Sequence, residues 1–121
     1  MHRRRLFAIV LGVGAACAAP ALAHHGWGGY DSNKVLNLTG VIEAMAYENP
    51  HGEIKLKVTQ PQPKVWLVTL SPPYRMQARG LPADDLKLGA TAVVVGYPNK
   101  TDPNEMRAER ITVNGKTTEL R

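Results

Sequence analysis

Over most of the chain, hydrophobic and polar residues alternate with a period of two. That is the pattern of strands with one face on a core. The cleanest case is Glu53 to Val58, where Ile54, Leu56 and Val58 point one way and Glu53, Lys55 and Lys57 the other. Val35 to Tyr47 is a longer strand of the same kind, with Leu36, Leu38, Ile42, Ala44 and Ala46 expected on one face. Gly40 in its middle predicts a bulge or a bend. A long, bent first strand lets a small barrel share that strand between two sheets. Val65 to Leu70 is the third strand, with Trp66, Val68 and Leu70 on one face. Ala90 to Tyr97 is a buried strand around the continuous run Val93, Val94 and Val95. Met106 to Val113 is the fifth. Asn114-Gly115 is a strong hairpin signal, and a short last strand, Lys116 to Leu120, folds back.

The breaks between these runs have their own chemistry. Glu48-Asn49-Pro50-His51-Gly52 is a turn, and the prolines of Gln60-Pro61-Gln62-Pro63 cannot donate ladder bonds. Ser71-Pro72-Pro73 predicts a helix start with Ser71 as the cap. Tyr74 to Arg79 is a short helix stopped at Gly80. Leu81 to Leu86 adds a helical turn that ends by Gly89, and Pro98 to Asn104 is a polar loop. Three strands, a helical segment and two more strands is the order of an OB-like barrel. The fold class expected is therefore mainly β. It is a small five- to six-stranded OB-like β-barrel over residues 34–121, with one short helical segment between strands three and four. Another small barrel or an open β-sandwich is the alternative.

The first 23 residues do not belong to that pattern. Arg3, Arg4 and Arg5 precede an apolar run from Leu6 to Ala16, and Ala21-Leu22-Ala23 offers the small residues of a signal-peptidase site. The run is Gly/Ala-rich and shorter than the roughly 20 residues of a membrane span. Residues 1–23 are read as a cleavable signal peptide, which puts the protein in the periplasm or outside the cell. Arg4-Arg5-Leu6-Phe7 also has the look of a twin-arginine leader, and Gly14-Ala15-Ala16-Cys17 of a lipoprotein box without its usual leucine. Residues 24–33 form a glycine-rich, flexible strap.

Removing the leader changes the composition. The net charge of +5 loses three arginines, so it no longer argues for a nucleic-acid partner. The single cysteine, Cys17, also leaves, which excludes thiol catalysis and cysteine-ligated zinc in the exported form. Roughly 100 residues remain, enough for one domain with one core. Lys55, Lys57, Arg75, Arg79 and Lys100 could follow phosphates, but Glu53, Asp102 and Glu109 interleave with them, so they are read as a solvated face.

His24-His25-Gly26-Trp27, Tyr47-Glu48-Asn49-Pro50-His51-Gly52, Gly96-Tyr97-Pro98 and Arg107-Ala108-Glu109-Arg110-Ile111 together resemble an uncharacterised family of exported bacterial proteins, domain of unknown function 6152. The resemblance covers essentially the whole chain after the leader. It implies a periplasmic small barrel and brings no activity with it.

The remaining candidates for chemistry are few. Cleavage after Ala23 exposes His24 and His25. The terminal amine can chelate a metal with the His24 ring, or with the His25 ring and the intervening amide. Both are near-planar nitrogen sets that suit Cu(II), whereas Zn(II) would want a further ligand such as His51. His51 lies in the loop after the first strand. In this barrel type that loop and the loop joining the last two barrel strands rim the usual binding face. Asn49 and Asn99 belong to those rims. Trp27 and Tyr30 anchor the strap, with docking on the barrel preferred over stacking on a ligand. Ser32 and Ser71 lack a nucleophile context, and Glu48, His51 and Asp31 form an acid/base set only in the sense that any loop offers one. The function expected is an exported, non-catalytic binding or accessory module for a protein, a glycan or an envelope component. The alternatives are a periplasmic copper-binding protein using His24, His25 and His51, and an enzyme with its site in the rim loops.

Overall fold

The structure is a computed structural model that describes residues 26–121. The leader, Cys17, His24 and His25 lie outside the described residues. The strands are β1 (Leu36–Ala46), β2 (Glu53–Val58), β3 (Lys64–Thr69), β4 (Thr91–Pro98), β5 (Glu105–Val113) and β6 (Lys116–Glu119). A helix, α1 (Pro73–Ala78), and a 3-10 turn at Ala83–Asp85 lie between β3 and β4.

The sheet order is β3-β2-β1-β4-β5-β6, and a short parallel pairing of β3 with β5 closes the first five strands into a barrel. β6 pairs only with β5, outside the closed barrel. This is the OB-like order expected. β1 serves two neighbours, pairing with β4 through Leu36–Val41 and with β2 through Gly40–Ala46.

The core is the inward set of every strand: Leu38, Ile42, Ile54, Leu56, Val58, Val68, Val94, Met106, Ile111 and others, with helix residue Met76. Each large apolar side chain so buried contributes about 1.5–3 kcal/mol. Gly40 and Gly96 let strands approach closely. A Cβ on Gly40 would strike the carbonyl of Lys57, and one on Gly96 the carbonyl of Arg107. Asn114 and Gly115 both have positive φ, 52° and 74°, as a type I′ turn requires.

Four local expectations are corrected. The bulge of β1 is at Glu43, between Ile42 and Ala44, and not at Gly40. It reverses the inward phase, so Met45 packs on the core while Ala44 and Ala46 pair outward with Lys55 and Glu53. Val93 and Val95 are only partly buried, because β4 alternates like the other strands. Ser71 does not cap α1. The N-cap is Pro72, and the Ser71 hydroxyl donates to the carbonyl of Leu120, joining the chain terminus to the end of β3. Among the described residues no helix is long and apolar enough to cross a membrane.

Candidate functional site

Side chains at outward positions of paired strands stand in rows, because the pleat sends alternate residues to the same face. One row runs Ala46, Glu53, Thr69, Arg107; the next runs Ala44, Lys55, Leu67, Glu105. The loop before β2 brings His51 to the end of this face, two residues before Glu53 and with the same parity.

Over β4 and β5 the face is covered. Tyr30 forms an antiparallel bridge with Asn99, and Trp27–Gly29 makes a 3-10 turn just before it. The Asp31 amide donates to the Pro98 carbonyl at 2.9 Å, and the Lys100 amide to the Gly29 carbonyl at 2.9 Å. The strap from Gly26 is therefore docked along the end of β4. The Tyr30 ring is 7% exposed. Its hydroxyl donates to Glu105 Oε1 at 2.6 Å, Thr69 Oγ1 donates to the same oxygen at 2.9 Å, and Asn99 Nδ2 donates to Oε2 at 2.6 Å. Burial, and then the Glu105 carboxylate, push the Tyr30 hydroxyl up to about 12.

Trp27 closes the same patch. Its ring meets Tyr30 and Tyr97 edge-on at 6.4 and 6.1 Å. The guanidinium carbons of Arg107 and Arg121 lie 4.4 and 4.7 Å from its centroid. Such cation–π contacts are each worth about 0.5–2 kcal/mol, more as water is excluded. Arg107 is 8% exposed, and burial lowers its pKa. Tyr97 donates to Glu109 Oε2, which holds the phenol above its usual pKa.

Over β1, β2 and β3 the same face is bare. A groove of about 130 Å³ lies there, lined by Ala44, Met45, Ala46, Glu53, Ile54, Lys55 and Leu67. A second concavity, about 210 Å³, sits at the far end of the barrel between Leu36, Leu38, Val58 and Trp66, under the β2–β3 loop. Both are smaller than the roughly 300–1,000 Å³ that encloses a small molecule.

The expected site residues divide accordingly. Tyr30 is taken up in packing, while Trp27 keeps part of its ring exposed. Asn99 organises its own loop, its side-chain oxygen accepting from the Thr101 and Asp102 amides and the Thr101 hydroxyl. Asn49 is exposed in the β1–β2 loop. The His51 side chain is 19% exposed, with Nδ1 3.9 Å from Glu53 Oε1. Among the described residues no three His, Cys, Asp or Glu side chains cluster to hold a metal. The sequence reading missed Arg107 and Glu105 as strap anchors. It also missed Ala44, Ala46 and Leu67 as a groove. The one available signal was the outward alternation of Glu105 and Arg107 two positions apart.

Trp27, His51, Tyr97 and Arg107 come from four separate sequence motifs, and they converge on this one face. The chain belongs to the DUF6152 family, a family of unknown function. The family model matches residues 13–109. The DUF6152 span therefore contains the strap, both rim loops and the whole groove, and leaves out the Asn114-Gly115 hairpin, β6 and Arg121. No curated protein matches the chain.

Proposed function

We propose that this protein is an exported, non-catalytic binding or accessory module, acting in the periplasm or outside the cell, that uses the bare half of its outer face. The carrying observation is the groove beside the docked strap, where Ala44 and Ala46 leave room and Lys55 and Glu53 offer both charges. A 130 Å³ groove takes a protruding group, such as one side chain or one sugar ring, and does not enclose a free small molecule. That favours a large partner, a protein or a glycan of the cell envelope, held over a broader surface. The leader supports the compartment, and the position of the groove next to the β1–β2 loop agrees with how OB-like barrels bind.

The test is co-sedimentation of the purified exported protein with isolated cell envelopes. The wild type should pellet with the envelopes. Ala44→Trp, which fills the groove from an outward position, should stay in solution while melting at the wild-type temperature. If both behave alike, the groove is not the binding surface. If the protein is found only in the cytosolic fraction, the reading fails altogether.

A further inference from the structure

We propose that the open end of the barrel binds a small aromatic carboxylate, its ring set among Leu36, Leu38, Val58 and Trp66 and its carboxylate on the Lys64 ammonium. This site lies away from the groove on the outer face, and it does not depend on the compartment.

The two ends of the barrel are closed differently. Where β2 begins, helix residue Met76 fills the end: it is fully buried, and a Cβ on Gly52 would strike its methyl carbon. Where β2 finishes, at Val58, the chain turns away into the β2–β3 loop. β1 extends past that point, since its pairing with β2 stops at Gly40 while its pairing with β4 reaches Leu36. Leu36 and Leu38 therefore have no β2 residue beside them. Across the gap β3 begins, with Lys64 and Trp66 at positions of the same parity as buried Val68. The concavity of about 210 Å³ lies between these two walls, with Val58 also in its lining. Leu36 and Trp66 pack on the core but stay partly exposed to it.

The walls are apolar apart from Gln62 and Lys64. Lys64 is the cross-strand partner of buried Val58, so an ammonium group starts from an inward position at the mouth of the barrel. Its Nζ lies 3.8 Å from the centroid of the Trp66 ring and donates to the Pro103 carbonyl. An ammonium carries three donors, so that bond leaves two for a ligand. Asp102, on the neighbouring loop, accepts from the Asn104 amide, and among the described residues no carboxylate lines the concavity. Charge complementarity therefore selects an anion, and one ammonium matches a single negative charge. Size sets the other end of the ligand. An apolar cavity of roughly 150 Å³ accepts benzene, so 210 Å³ takes one ring and a short linker. The Trp66 indole gives that ring an aromatic neighbour, which adds to simple burial. The carboxylate stays at the rim, so the ligand is not enclosed and a full-sized pocket is not required.

The experiment titrates the whole purified protein with phenylacetate, neutral phenylethanol and cationic phenethylamine. The two indole N–H signals are followed by ¹⁵N NMR and assigned with Trp27→Phe. Phenylacetate should shift the Trp66 signal with a dissociation constant below about 1 mM. It should bind about fivefold more tightly than the alcohol, the upper end of what a solvent-exposed ion pair supplies, and the amine should bind most weakly. Lys64→Gln should lower the acid to the affinity of the alcohol and leave the alcohol unchanged, and Lys64→Glu should favour the amine over the acid. Acid and alcohol binding alike to the wild type, a shift confined to the Trp27 indole, or an acid preference that survives Lys64→Gln would each overturn the proposal.

Discussion

One outer face of the barrel carries two opposite solutions. Over β4 and β5 it is sealed by aromatic rings, two guanidiniums and a carboxylate that accepts from three side chains. Over β1, β2 and β3, in the same rows of the same sheet, it carries alanines, a leucine and the opposite charges of Lys55 and Glu53. The difference teaches what each composition does to a sheet face. Large, desolvated rings with satisfied hydroxyls stabilise the fold, whereas small outward residues leave a surface that a partner can approach. Predictions follow from pressing on each half in turn.

The largest effect is expected on the covered half. Tyr30→Ala removes a buried ring and leaves Glu105 short of one donor, so it should cost about 3–4 kcal/mol. Chemical denaturation measures it. A loss under about 1 kcal/mol would mean that the strap is not part of the folded unit.

Alkaline pH probes the same contact without a large-to-small substitution. The Tyr30 hydroxyl is raised from 10.0 to about 12 by burial and by Glu105. A group whose folded pKa is raised has its stabilising effect fully present below the unfolded pKa, near 10, and loses it as pH rises through the folded value. Stability should therefore fall between pH 10 and 12, with Tyr30 supplying on the order of 2–3 kcal/mol of the fall. Tyr30→Phe should flatten the curve by that share, leaving the contributions of Tyr97, whose phenol Glu109 keeps neutral, and of Tyr47, whose phenol burial keeps neutral. A denaturation series from pH 8 to 12 that is the same with and without the hydroxyl would remove Tyr30 from the account.

Trp27→Leu keeps an apolar cover but loses the ring that both guanidiniums contact, and should cost about 1–2 kcal/mol. Thermal melts check this, and the variant should also expose Arg107 to solvent exchange. On the bare half, Lys55→Gln and Ala46→Ser should change stability by less than about 0.5 kcal/mol. A large loss there would show that the groove is part of the packing, and the contrast between the halves would disappear.

How much of this was legible varies residue by residue. β2 was read with its true ends and faces, because each inward residue is separated from the next by one charged residue and nothing interrupts the period. The Asn114-Gly115 hairpin was equally plain, since two consecutive positive φ values narrow the choice of residues sharply. Ala44 and Ala46 were assigned to the wrong face. Glu43 looks like any outward residue, and only its pairing with β2 shows that it is the extra one. Ser71 had the chemistry of a cap, but a neighbour 49 positions away, Leu120, took its hydroxyl. Arg107 stood out only as part of a family motif, and in the structure it is buried with the Trp27 ring of the strap against it.

Alternation, turn chemistry and the order of strands and helix are local properties, so the chain alone determined the inward set wherever the period ran unbroken, the loops and the OB-like order. The tertiary structure decided which strands meet to close the barrel, where the bulge at Glu43 reverses the faces of β1, and which half of the outer face is covered. The reason is distance along the chain. The bond from Tyr30 to Glu105 joins residues 75 positions apart, and no local period reports a contact of that range until both partners stand on the same folded sheet.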